Sequence, residues 1–435
     1  MYLAERRSSP ASAPAAPGPG PGRRVAAVPG TVLALGTVSL ITDVSSEMVT
    51  AVLPLYLVAA LGVSPLGFGL LDGIYNGVSS LVRLVGGHLA DRGGGRHKTV
   101  AALGYGLSAL CKPLLLLAHS LGPIGVLIAV DRTGKGLRTA PRDALISLST
   151  APEHRGRAFG VHRAMDTAGA LLGPLVAFGL LRLTVDGYDA VFAVSGCVAA
   201  LGVLVLLLFV PGGRRAAPAA SEPRLRAALG LLRSAPLRRL VLCALLLGLT
   251  TVSDSFLYLL LQRQLKLSPV YFPLLPVGTA TGFLLLAVPF GVLADRVGRG
   301  RLFLAGHLAL LLALGLLLGA GGWWVPFLVL ALHGTFYAAT DGVLAAAAAD
   351  TVPAEQRGAG LALVGTGQTA ARFACSLGFG AAWTAWGPHT ALAAVTCGLA
   401  VALLAAALLL RPAAPLRPAT PLRPAARPRS EGGPA

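Results

Sequence analysis

Charge is what this chain has least of: 12% of its 435 residues are Asp, Glu, Lys or Arg, about half the share of an ordinary soluble domain. With 55% hydrophobic residues and a mean hydropathy of +0.73, that deficit argues against a string of soluble domains and points to lipid as the solvent. Cysteine is sparse, and Cys111, Cys197, Cys243, Cys375 and Cys397 sit inside apolar runs at wide spacing. Neither a disulfide framework nor a zinc spacing follows from them. Phosphate and nucleotide loops are missing as well. Gly134-Lys135-Gly136 lacks the upstream glycine and the Ser/Thr of a phosphate loop, and Gly365-x-Gly367-x-x-Ala370 follows no strand. The 8 histidines do not cluster at ligand spacing, and nothing pairs a nucleophile with a base. No metal, no cofactor and no enzyme activity are expected.

What the chain does have is apolar length. About twenty such residues cross a bilayer, and twelve runs qualify, at 31–60, 65–89, 99–119, 122–149, 158–181, 188–210, 238–261, 270–293, 302–320, 323–349, 359–383 and 389–410. An all-α membrane protein of twelve spans is predicted, with bundles at 31–210 and 238–410 joined by a basic linker, 211–237. The Ala/Pro-rich tails 1–30 and 411–435 read as disordered. The first run is too long and too polar at its centre for a cleaved signal, so it counts as span one.

The net charge of +18 might suggest nucleic acid, but its placement says otherwise. Bases crowd the tails, the linker and the loops after spans two, four and eight, whereas the alternate loops hold only Arg182, Arg263 and Lys266. That bias puts both termini in the cytoplasm of a cell inner or plasma membrane. The excess charge serves topology and anionic lipid, with no nucleic-acid partner implied.

The chain also repeats itself. Gly87-x-Leu89-Ala90-Asp91-Arg92-x-Gly94-x-Arg96 after span two returns after span eight as Gly291-x-Leu293-Ala294-Asp295-Arg296-x-Gly298-Arg299. Pro152-Glu153-His154-Arg155-Gly156 is echoed by Pro353-Ala354-Glu355-Gln356-Arg357-Gly358, and Gly36…Asp43 by Gly248…Asp254. Duplicated halves with a binding site between them are a common transporter plan.

These residues resemble the major facilitator superfamily over nearly the whole chain outside the tails. The loop after span two matches that superfamily's best-known motif, and Arg132-x-x-x-Gly136 matches its second. Span five, Gly160-x8-Gly169-x3-Gly173-Pro174-x2-Ala177, is similar to the motif of the drug:proton antiporter branch, with Ala177 where that motif has Gly. The resemblance implies two pseudo-symmetric six-helix bundles that rock about a central cavity. A single chain holds both, so a monomer suffices.

Charges at membrane depth cost about 2.5–3.5 kcal/mol each on insertion scales, and each marks a candidate site. The acids are Asp43, Glu47, Asp72, Asp131, Asp143, Asp166, Asp254, Asp341 and Asp350; the bases are Arg83, Lys112, Arg132, Lys135, Arg138, Arg142, Arg163 and Arg372. Asp43 and Glu47 share one face of span one. Either they carry protons, or each pairs with an arginine of spans two or four. In span four, Asp131, Lys135, Arg138 and Arg142 fall on one face. Asp131 is predicted to partner Lys135, leaving Arg138 and Arg142 as a gate. By resemblance Arg132 faces the cavity near the span-one acids, where it either tunes them or forms a static pair. Asp91, Arg92 and Arg96, with Asp295 and Arg296, would gate the cytoplasmic face, and Arg142 is a candidate partner for Asp91. His162 and Asp166 are spaced to pair. Arg83, Lys135, Asp254, Asp341, Gln368 and Arg372 are the candidate cavity contacts. Gly160, Gly169, Gly173 and Pro174 either seal span five against proton leak or simply pack it.

The expected function is proton-coupled export of a small organic compound by alternating access. Import, or transport of an anionic metabolite through Arg83, Arg132 or Lys135, is the first alternative. A non-transporting membrane receptor is the second.

Overall fold

A computed structural model of the chain describes residues 28–92, 97–185, 187–211, 230–319, 321–353 and 356–410. These form α1 (Gly30–Leu55, continued by a π turn Tyr56–Ala60), α2 (Pro65–Arg92), α3 (His97–Leu114), α4 (Leu121–Leu148), α5 (Arg155–Leu183) and α6 (Gly187–Phe209). The second half holds α7 (Ala235–Gly248), α8 (Asp254–Leu265), α9 (Leu274–Val297), α10 (Arg299–Gly319), α11 (Val325–Thr340), α12 (Val343–Asp350), α13 (Arg357–Trp386) and α14 (Pro388–Leu409). Among the described residues the twelve spans comprise fourteen helices, because spans seven (α7, α8) and ten (α11, α12) are each broken. These are the counterparts of the unbroken α1 and α4. The tenth breaks at Gly342, whose φ of 75° is a left-handed geometry that suits glycine.

Among the described residues seven helices are long and apolar enough to cross a membrane by composition: α1, α3, α5, α6, α9, α10 and α14. Leu204, Leu207, Leu208 and Phe209 on α6, and Val401, Leu404 and Leu408 on α14, are exposed outward, as lipid-facing side chains should be. The spans that fall short of this test, α2, α4, α13 and the two broken ones, carry the charges and glycines.

Each half packs as a bundle. α1 lies along α5 and α6, and α4 along α2 and α3; in the second half α11 lies along α9 and α10, and α13 along α7 and α14. The halves meet through α2 on α13 and α5 on α9. They close tightly where α1 ends and α2 begins. Phe256 stands edge-on to Phe68 and Phe379, 4.9 Å from each, and the Leu66 amide donates to Thr384 Oγ1 at 3.0 Å. A side chain on Gly69 would strike the Ser376 carbonyl, and one on Gly380 the Pro65 carbonyl. Two backbones this close need glycine on both sides.

The span-five glycines divide in the same way. A Cβ on Gly169 would lie 2.5 Å from the Leu40 carbonyl, and one on Gly173 2.7 Å from Glu47 Cβ, whereas nothing stands within 4 Å at Gly160. Gly169→Leu is therefore expected to lose at least the ~1–3 kcal/mol of an overpacked interior. Gly160→Leu should stay within about 0.5 kcal/mol of the parent. Thermal unfolding of the two purified variants checks this, and equal midpoints would contradict it.

Candidate functional site

The charges of α4 form a ladder against α1, α3 and α5. At its first rung Asp131 accepts from Lys112 Nζ at 2.7 Å and from Arg132 Nε at 2.9 Å. The Arg132 guanidinium lies 4.0 Å over the Tyr75 ring. At the second rung Lys135 Nζ is 3.8 Å from Glu47. Next, Arg138 meets Asp43 at 3.3 Å and lies 4.4 Å over the Tyr105 ring. Last, Arg142 reaches Asp143 at 3.1 Å, Asp166 at 3.5 Å and Ser39 at 3.2 Å. Asp43 and Asp166, from α1 and α5, come close enough beneath these bases to interact with each other electrostatically.

Several expectations change here. Asp131 does not take Lys135, because Lys112 and Arg132 occupy both its oxygens, and Lys135 turns to Glu47 instead. Arg132 is not paired to the acids of span one; its ion pair is with its neighbour Asp131. Asp43 pairs with an arginine of span four, as the second of the two expectations had it, whereas Glu47 takes a lysine of that span, Lys135. Arg138 is thereby a partner of a buried acid rather than a bare gate. His162 Nε2 meets Ser39 Oγ at 3.0 Å rather than Asp166, which Arg142 reaches instead. No helical spacing could have linked Asp166 to Asp43, since the two reside on different helices.

The loop motif is only partly in view. Gly87, Asp91 and Arg92, like Arg83, lie on α2, but their side-chain surroundings fall outside the described residues, as do Gly94 and Arg96 altogether. In the second copy, Asp295 is 3.8 Å from Arg299, which also pairs with Asp350 and donates to the Ala346 carbonyl at 3.1 Å. The motif there ties α9 and α10 to α12. Arg296 is exposed and makes no ion pair among the described residues.

Between the halves, on the inner side of the aromatic seal, lies a cavity of about 180 Å³. Glu47, Asp72, Asp254 and Arg372 line it, with Tyr75, Asn76, Pro174 and Tyr258. Asp254, at the start of α8, accepts from Tyr337 Oη at 2.6 Å and lies 3.4 Å from His333 Nε2. Asp72 accepts from Ser376 Oγ at 2.6 Å, a bond that crosses from one half to the other. Asp72 and Ser376 were not among the cavity contacts predicted, because no repeat or spacing pairs α2 with α13. Three predicted contacts miss the cavity: Lys135 turns to Glu47, Gln368 sits off the lining, and Asp341 is exposed at the break in span ten. Among the described residues no three His, Cys, Asp or Glu side chains group to hold a metal.

A model of the Major Facilitator Superfamily matches residues 35–284 and 240–433. The chain belongs to that superfamily. Its relatives include an uncharacterised MFS-type transporter of Methanocaldococcus jannaschii, 31% identical over 286 residues, or 64% of this chain and 69% of that one. The multidrug resistance protein MdtH of Photorhabdus laumondii is 31% identical over 172 residues, covering 38% and 40% of the two chains. Among solved structures, the nucleoside transporter NupG superposes with a TM-score of 0.73 at 13% identity, covering 88% of this chain and all 100% of that one. The fold is thus the superfamily's pair of six-helix bundles in a membrane, and this major facilitator protein is a transporter of small molecules.

Proposed function

We propose that the chain is a proton-coupled transporter that exports a small organic compound across the cell membrane, its termini in the cytoplasm. The observation that carries this is the carboxyl pair Asp43–Asp166 held under Arg138 and Arg142. Two neighbouring carboxylates repel in low dielectric, and a proton shared between them relieves that repulsion. That proton removes counter-charge from Arg138 and Arg142, so its arrival loosens α1 and α5 from α4. Its departure draws them back. Glu47, one helical turn from Asp43 and lining the cavity, sits where substrate and proton would influence each other.

Two points favour export. Gly169 and Gly173 press α5 onto α1 beside the carboxyl pair, which keeps water from bridging it. The likeness to MdtH, a multidrug resistance protein by name, lies in the same direction. The basic loops support cytoplasmic termini.

The test is proton movement in everted vesicles with an acidic lumen, challenged in turn with organic cations, neutral compounds, zwitterions and anions. Lumenal alkalinisation by one class, absent in Asp43→Asn, is the expected result. Silence toward every class, from protein shown to be inserted and folded, would reject coupled antiport.

A further inference from the structure

The bases of the transmembrane region are nearly all spoken for. Lys112 and Arg132 are held by Asp131, Lys135 by Glu47, Arg138 by Asp43, and Arg142 by Asp143 and Asp166. Arg372, on α13 in the cavity wall, is different. Among the described residues it makes no ion pair, and its Nε is buried without a hydrogen-bond partner. Asp254 shares the wall but spends its carboxylate on Tyr337 and His333. Such a guanidinium is costly to keep inside a membrane protein unless a ligand completes it. Its planar fork matches the paired oxygens of a small anionic group such as a carboxylate.

The wall from the other half carries the opposite charge. Glu47 has only Lys135 as an ion-pair partner among the described residues, at 3.8 Å, and both side chains are partly exposed. Asp72 accepts from the Ser376 hydroxyl and has no base within ion-pair distance among the described residues. A purely cationic solute would bring its charge against Arg372. A purely anionic one would face the carboxylates of Glu47 and Asp72. A solute bearing both charges, small enough for about 180 Å³, completes both walls.

We infer that the central cavity binds a small zwitterion, its anionic group on Arg372 and its cationic group toward Glu47 and Asp72. This rests on the reading of the cavity as the transport site and narrows the exported compound to a polar metabolite-sized solute. It also moves anion recognition from Arg83, Arg132 and Lys135 to Arg372.

The experiment is equilibrium binding to the purified full-length chain, read as the thermal unfolding midpoint. The probes are 5-aminovalerate, valerate and pentylamine, which share one carbon skeleton and differ in charge. The zwitterion should raise the midpoint most. Arg372→Gln should weaken its apparent affinity roughly tenfold or more, the loss of a charge-assisted bidentate contact, while Arg372→Lys keeps part of it. Should Arg372→Gln fail to fold, Glu47→Gln still decides, because it should erase the preference for 5-aminovalerate over valerate. Pentylamine binding as well as the zwitterion overturns the inference. So does an Arg372→Gln response equal to the parent's, or no shift with any probe. No gradient is imposed, so a positive result here with silent vesicles would reject coupling alone, and vesicles answering only to cations would reject the zwitterion alone.

Discussion

Asp131→Asn is expected to cost more stability than any other single change in the chain. Its carboxylate is the sole ion-pair partner, among the described residues, of two buried cations, Lys112 and Arg132, which are 2% and 4% exposed. Removing one member of a buried ion group leaves uncompensated charge, typically costing about 3–5 kcal/mol, and here two charges are stranded by one substitution. Tyr75 stacks on Arg132 but cannot replace a carboxylate, since a cation–π contact contributes only about 2 kcal/mol even when desolvated. Thermal unfolding of the purified protein should show a large drop. The double variant Asp131→Asn/Lys112→Met should recover part of it, because it strands one cation instead of two. A single variant that melts with the parent, or a double variant that melts lower than the single, would show that the cluster is not a structural clasp. The clasp ties α3 to α4, and through Tyr75 to α2, so its loss should lower the midpoint without selectively altering proton coupling.

The twelve spans and their division into halves were legible because each is written in composition over about twenty residues or more, where lipid imposes one requirement on every position. Partner choice among charges was not legible. Helical spacing places Lys135 one turn from Asp131 and so predicts that pair. The tertiary fold brings Lys112 across from α3 onto one oxygen at 2.7 Å, and with Arg132 on the other none is left for Lys135. The broken spans were missed for a related reason. Thr250-Thr251-Val252 reads as a continuation of an apolar run, yet the chain leaves the helix there and places Thr251, Val252, Ser253 and Asp254 in the cavity wall. Asp254 itself was found, since the internal repeat marked it as the counterpart of Asp43. Asp72 had no such counterpart, and its partner Ser376 is 304 residues away.

Asp166→Asn should separate transport from its driving force. The substitution keeps the size of the side chain and leaves Arg142 with Asp143 and Ser39, so folding and the cavity, to which Asp166 does not contribute, are expected to persist. What disappears is the carboxyl pair. In proteoliposomes carrying the parent protein, one pH unit across the membrane is worth about 1.4 kcal/mol per proton, enough for a tenfold solute gradient at one proton per solute. With Asp166→Asn the steady-state ratio should fall to about one, a loss of the whole tenfold by the same conversion, while exchange of labelled for unlabelled solute continues. Exchange lost together with accumulation would assign Asp166 to the rocking of the bundles rather than to the proton. Accumulation retained would place the proton elsewhere, and Glu47 would then be the acid to examine, since it alone of the span-one acids lines the cavity.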